Sequence, residues 1–348
     1  MGADPTTSVS SNYPLAPGNK WAITGVAGFI GSHLLEELLG RDQEVTGLDN
    51  LTTGRTANLD DVQSRVTADQ WARFRFIRGD ITDPAAVSEA LQGATRVLHQ
   101  AAIASVPASI EDPATTHHVN VTGFLNILET ARKSGVQRVV YASSSAVYGD
   151  CTELPSREDR IGQPLSPYAL TKRMDEEYAA LFERCYGLVS VGLRYFNVFG
   201  PRQDPKGAYA AVIPNWIQAL IDGRDIRIHG DGETSRDFCP VETVVEANLR
   251  AATAPLPEGS PRVFNIGLGK ATSLNQLAAM LQSAAARRSQ GSVQSKVTHG
   301  PFRPGDIRHS CADITLAERW LALQPQLSLE ASLNATCSFM ECGGSTPL

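Results

Sequence analysis

The sequence predicts an α/β fold: a doubly wound parallel sheet with a smaller, mixed α/β portion toward the C-terminus. Three features carry this reading. Short apolar, β-branched runs alternate with helical patterns up to about residue 200, as parallel strands joined by helical crossovers require. A glycine-rich turn joins the first of these runs to an amphipathic pattern. Beyond that point the rhythm gives way to clusters of Gly, Pro and Asp.

In order, "KWAITGVAGFIGSHLLEELLGR" reads as strand, glycine turn and helix, "QEVTGLDN" and "FRFIRGDI" as strands, "DPAAVSEALQ" as a helix and "ATRVLHQAA" as a strand. A helix follows near 116–134, then the strand "VQRVVYASSS", a helix opened by "SPYALTK", and the strand "LVSVGLRYFNVFG". The irregular part contains "GPRQDPKGAYAAV", "HGDGETSRDF" and "HGPFRPGDIRHS", and late helices such as "SLNQLAAMLQSAAARR" are expected to close a cleft with the sheet. The expected division is a disordered leader at 1–18, a sheet domain at 19–200 with its sheet continuing later in the chain, a second domain mainly at 201–335, and a tail at 336–348.

Composition narrows the function. The 348 residues carry a net charge of −6 with no Lys/Arg block, so the footprint of a polyanion-binding protein is missing. No run of about 18 apolar residues could span a bilayer, and the N-terminus lacks the apolar stretch of a secretion signal, which predicts a soluble, cytoplasmic protein. Six cysteines are scattered without a C-x-x-C pair, and the adjacent His117 and His118 face different sides of a helix, so no metal site is expected.

The first chemically informative motif is "TGVAGFIG", with Gly25, Gly28 and Gly31. Missing side chains let backbone approach a pyrophosphate at a helix N-terminus that supplies amide donors, which makes the expected sheet Rossmann-type and its ligand a dinucleotide. Asp49 ends the second strand, where a carboxylate accepts ribose hydroxyls and repels a 2′-phosphate, so NAD is favoured over NADP. Asp80, after the third strand, suits the adenine amino group.

Tyr168 and Lys172 lie one helical turn apart. A hydride acceptor oxidises an alcohol only if a base removes the hydroxyl proton, and a free phenol with a pKa of about 10 is a poor base near neutrality. An ammonium one turn away stabilises the phenolate. Ser144 and Ser145, at the end of an earlier strand, supply hydroxyls to orient the substrate's oxygen.

Glycine turn, acidic strand end, serines and Y-x-x-x-K in this order resemble the extended short-chain dehydrogenase/reductases, and among them the UDP-hexose 4-epimerases, especially the branch acting on N-acetylated sugars. The similarity runs from about 20 to 320 and is most specific in "HQAAIASVPASIEDP", "SPYALTK", "GLRYFNVFGPRQDPKGAYAAVIP", "GDGETSRDF" and "RPGDIRHS". It implies a tightly bound NAD held by Gly25, Gly28, Phe29, Ile30, Gly31, Asp49, Asn50, Asp80, Ile81, Gln100, Ala101, Ala102, Tyr168, Lys172, Tyr195 and Val198, with Phe196 also near the nicotinamide. It implies a UDP-sugar held by Ser105, Ser144, Ser145, Asn197, Ala211, Val212, Arg236, Arg303, Asp306 and Ser310, with Arg236 matching the diphosphate bidentately.

The reaction so implied is reversible oxidation at sugar C4, with Tyr168 taking the O4 proton and the 4-keto sugar turning before reduction from its other face. Uridine diphosphate anchors the molecule while the hexose turns. A homodimer through the helices near 116–134 and 168–186 is implied as well. At the position of Ser310 a bulky Tyr would wall off the space beside C2, and serine leaves it open for an N-acetyl group. UDP-glucose/UDP-galactose and UDP-uronic acids remain alternative substrates, and a non-catalytic NAD sensor is an alternative of another class. The sensor would be expected to have a broken Ser/Tyr/Lys set, and here the set is intact. Nucleotide-sugar 4,6-dehydratases carry Thr-Asp-Glu where this chain has Ser144-Ser145-Ala146, and UDP-glucuronate decarboxylases carry Glu in place of Ala146, so neither chemistry fits.

Overall fold

Seven parallel strands form the central sheet of the computed structural model, which describes Leu15 and residues 18–205, 211–288, 295–302 and 307–342. They are β1 (Lys20–Thr24), β2 (Glu44–Asp49), β3 (Phe74–Arg78), β4 (Arg96–His99), β5 (Arg138–Ser144), β6 (Ser190–Tyr195) and β7 (Val263–Ile266). Their spatial order is β7-β6-β5-β4-β1-β2-β3. The chain therefore leaves β1 in one direction through β2 and β3, then restarts on its other side at β4. A crevice opens where such a sheet changes direction, outside the carboxyl ends of the strands, and ligands bind there.

The chain's helices include α1 (Phe29–Gly40), α2 (Thr56–Arg65), α3 (Pro84–Ala90), α4 (Val106–Glu111), α5 (Pro113–His117), α6 (Gly123–Lys133), α7 (Pro167–Tyr186), α8 (Val212–Ile221), α9 (Val241–Thr253), α10 (Leu274–Arg288) and α11 (Leu329–Glu341). Both sheet faces are covered, which is why the strands read as near-continuous apolar runs. Trp21, Ile23, Leu98 and Val140 pack with Leu34, Leu35, Leu38 and Leu39 of α1 and Val244 and Ala247 of α9. Their strand neighbours Ala22, Val97, Val139 and Tyr141 face the other way, against Val87 of α3, Phe124, Ile127 and Leu128 of α6 and Ala179 and Phe182 of α7.

Two boundaries differ from the sequence reading. The helix expected near 116–134 begins at Pro113 and is widened by a π turn at His118–Thr122, where Asn120 turns inward and its side chain bonds both the N–H (2.8 Å) and the C=O (3.1 Å) of Ile103. At the C-terminus α11 runs to Glu341, past the boundary drawn at 335, with Leu333 and Cys337 buried one turn apart on the same face. Leu333 and Cys337 join Ile213, Trp216 and Ile217 of α8 and Leu277 and Leu281 of α10 in a second core. α9 and β7 return to the central sheet, so the residues after 200 serve both cores. Among the described residues no helix is long and apolar enough to cross a membrane.

Candidate active site

The glycine turn lies at the carboxyl end of β1. Gly25 adopts φ +71°, and a Cβ there would meet Ala101 N at 2.8 Å, so glycine is required both by conformation and by the approach of the β4 loop. A Cβ on Gly31 would stand 2.0 Å from Gly25 O. Gly28 caps α1 without any side-chain hydrogen bond, leaving the first-turn amides to face the crevice. Phe29 and Ile30 are half-buried beside them. A bare helix N-terminus with the cradle around it suits an anionic pyrophosphate.

Asp49 is buried at the end of β2 and accepts from Ala27 N (2.9 Å) and Leu51 N (2.8 Å), with burial pushing its carboxyl upward against those bonds. Two oxygens with about four lone-pair sites retain capacity for ribose hydroxyls. Asp80 is held below the usual carboxylate range: burial acts upward but is outweighed by Thr82, whose N–H and hydroxyl donate at 2.8 and 2.7 Å, and by Asn50, whose amide donates at 2.7 Å. Ile81 is buried with its side chain against Gly123. The residues present fit an adenine dinucleotide.

At the β4 end, Gln100 belongs to a closed ring of side chains. Its amide donates to Asn248 Oδ1 (3.0 Å), Asn248 donates to the Tyr195 hydroxyl (2.8 Å), and that hydroxyl donates to Gln100 Oε1 (3.1 Å). Burial drives the Tyr195 phenol well above its usual value, so it remains protonated. The Gln100 side chain is thus committed to its neighbours, and Gln100 backbone with Ala101 and Ala102 is what borders the crevice.

The helix carrying Tyr168 starts where Ser166 caps Ala169 N (3.1 Å), with Pro167 in the first turn, and ends at Gly187 in the left-handed conformation. Tyr168 N donates to Ser109 Oγ (3.1 Å) of α4, and Asn120 reaches the Thr171 hydroxyl (3.1 Å). These bonds fix the Tyr168–Lys172 turn from both sides. Lys172 is only 2% exposed and donates to Asp175 Oδ2 at 3.1 Å. His99, at the end of β4, is pushed down to about 3, chiefly by burial and secondly by the Lys172 charge, so it stays neutral. The serines arrive from β5: α7 packs against β5 and the 3₁₀ turn Ser145–Tyr148, and Ser144 Oγ accepts from Ala146 N (3.1 Å). Ser143 instead bonds Glu176 Oε1 (2.5 Å), the carboxylate gripped by Arg194 at 2.9 and 2.7 Å. Of the three serines, 144 and 145 are therefore the two free of that structural pair. Ser105 caps α4 by accepting from Ala108 N (3.1 Å).

A cavity of about 430 Å³ opens beyond the end of β6, lined by Asn197, Val198, Ala211, Val212, Trp216, Arg227, His229, Arg236 and Phe238 among others. It unites four of the residues expected at the nucleotide: Asn197, Ala211, Val212 and Arg236. Arg303 and Asp306 lie outside the described residues. Ser310 is half-buried, and its N–H donates to Ser235 O (3.1 Å), next to Arg236. Phe196 is fully buried and tilted against Tyr148.

The sequence reading passed over Asp237, Asn120 and Asn248. Asp237 is completely buried and accepts from Leu268 N, Gly269 N and Ala312 N at 2.8–3.1 Å, tying the loop after β7 and the strand after Ser310 to the arginine beside it. In "SRDF" the two charges divide the work: Arg236 lines the cavity and Asp237 anchors the wall. Adjacent residues on extended chain point to opposite sides, and that alternation was the available signal.

A Rossmann-type sheet, a glycine cradle, a buried Tyr–Lys pair and a cavity lined by Asn197 and Arg236 define an NAD-dependent enzyme acting on an alcohol or its ketone. Residues 21–267 match the NAD dependent epimerase/dehydratase family. The chain belongs to that family, and it groups there with UDP-sugar 4-epimerases. It is 37% identical over 319 residues to UDP-glucose 4-epimerase of Mycolicibacterium smegmatis, covering 91% of this chain and 97% of that one. Among solved structures it is similar to UDP-glucose 4-epimerase of Thermotoga maritima with UDP-glucose, at TM-score 0.84 and 35% identity, covering 93% of this chain and 99% of that one. It is also similar to UDP-N-acetylglucosamine 4-epimerase of Methanobrevibacter ruminantium in complex with UDP-N-acetylmuramic acid, at TM-score 0.83 and 35% identity, covering 93% and 98%.

Proposed function

We propose that this NAD-dependent UDP-sugar 4-epimerase prefers the N-acetylated pair, UDP-GlcNAc and UDP-GalNAc. The observation that carries the preference is Ser310: a small, half-buried side chain on the segment hydrogen-bonded to Ser235, beside the Arg236 that lines the nucleotide cavity. A serine leaves room beside sugar C2, and filling such room with a methyl-sized group is worth about 1–3 kcal/mol.

NAD supplies a reversible two-electron acceptor at C4. Tyr168 takes the O4 proton, helped by the positive charge of Lys172, and returns it after the sugar has turned. Ser144 and Ser145 orient O4. Arg236 holds the diphosphate, the backbone at Ala211 and Val212 holds the base, and the hexose between these grips and Tyr168 is free to rotate. A homodimer is part of the same reading. It is supported by Ile110 of α4 and Leu170, Leu181 and Tyr186 of α7, large apolar side chains exposed on neighbouring helices, whereas Phe124, Ile127 and Leu128 of α6 are used up in the core.

The test is chromatographic quantification of the 4-epimer formed from each UDP-hexose, UDP-N-acetylhexosamine and UDP-uronic acid, for wild type and Ser310→Tyr. The variant should lose turnover of the N-acetylated pair by at least tenfold and keep that of UDP-glucose. Equal loss for both would show that Ser310 is not the gate.

A further inference from the structure

Among the buried charges the mechanism above leaves unused, Asp175 stands next to the reacting pair. Asp175 lies one turn beyond Lys172 on α7, 1% exposed, with Oδ2 3.1 Å from the ammonium and Oδ1 buried without any hydrogen-bond partner. A carboxylate with an unmet oxygen is costly to bury, and replacing a buried ion pair by apolar side chains is often neutral or stabilising. Stability is therefore a poor reason for its presence. Its surroundings are otherwise spoken for. Glu176 is paired with Arg194 and Ser143, the buried Tyr141 phenol feels both carboxylates, and His99 bonds Thr24 Oγ1 at 2.7 Å and feels Lys172. Of these groups, Lys172 alone bonds the Asp175 carboxylate.

We propose that Asp175 is a positioning residue for the epimerase reaction. It holds one of the three N–H bonds of the Lys172 ammonium, aiming the other two toward the crevice, and its negative charge offsets the ammonium's pull on the Tyr168 proton. Residues seven apart on a helix are roughly 10 Å apart, so Asp175 acts on Tyr168 through charge and through Lys172, not by contact. At that distance, with the effective dielectric found inside proteins, the Asp175 charge still acts on the Tyr168 proton, and removing it leaves the ammonium's pull unopposed. The inference rests on the roles given to Tyr168 and Lys172.

The experiment compares wild type, Asp175→Asn and Asp175→Ala by the pH dependence of kcat with the UDP-sugar that wild type turns over best, and by thermal unfolding across pH. Asparagine keeps an oxygen for Lys172 but no charge, so the acid limb of kcat should move about one pH unit downward. Alanine also releases the ammonium and should lower kcat more than it changes KM. The unfolding readout does not depend on turnover. Burial raises the Asp175 carboxyl to about 6, with Lys172 only partly offsetting it, above an unfolded value near 4. The stability that wild type holds over the Asn variant is therefore fully present below about pH 4 and lost as pH rises toward 6. An unmoved acid limb in both variants would overturn the proposal and leave Asp175 a structural residue. Retained turnover in Tyr168→Phe would instead overturn the underlying assignment.

Discussion

Replacing Gly31 by Ala tests the cradle with one carbon. The added Cβ would lie 2.0 Å from Gly25 O, 2.8 Å from Gly25 C and 2.9 Å from Val26 Cα, all backbone atoms with no side chain that could swing aside. Unstrained contacts of this kind need about 3.5 Å, so turn and helix must part by more than about 1 Å. That movement strains the bonds from Gly25 N to Leu48 O (2.8 Å) and from Gly28 N to Gly25 O (3.0 Å). Overpacking at about 1–3 kcal/mol and a hydrogen bond at about 1 kcal/mol together give about 2–4 kcal/mol. If the loss falls on the cofactor-binding conformation, affinity for NAD drops by roughly 30- to 1,000-fold. The assay is NAD(H) released by denaturation from protein purified without added nucleotide, alongside thermal unfolding. Gly40→Ala is the control, since its Cβ would meet nothing within 4 Å at the end of the same helix, and alanine there should be neutral or slightly stabilising. A Gly31→Ala variant with wild-type cofactor content and unfolding temperature would refute the argument.

Tyr168→Phe should lower kcat by several orders of magnitude while bound NAD and UDP affinity stay near wild type, because only the O–H is removed from a buried ring on α7; single-turnover assays and a UDP titration check this. Light scattering at micromolar concentration should give twice the chain's mass, and Leu170→Glu together with Leu181→Glu should shift it toward monomer; a wild-type monomer would exclude the proposed interface.

Local chemistry was legible in the sequence where a residue's job depends on its neighbours in the chain. Gly25, Gly28 and Gly31 announce a turn because φ and close approach forbid a Cβ, and Tyr168 and Lys172 announce a pair because the helix repeat sets them on one face. The parallel sheet was legible because burial on both faces removes polar alternation from β1, β4 and β5. The helix Thr56–Arg65 escaped the reading because only Leu59 and Val62 of its ten residues are buried, too few to mark a period. What the tertiary structure alone decided are pairings across long stretches of chain: Gln100 with Tyr195 and Asn248, Asp237 with the amides of Leu268 and Ala312, Asn120 with Ile103 and Thr171. A polar side chain reads as surface until a partner from a distant strand or helix satisfies it in the dry interior. Asp175 is the sharpest case: in sequence it is one more acid on a charged helix, and only the packing of α7 against the sheet makes it a buried carboxylate facing Lys172.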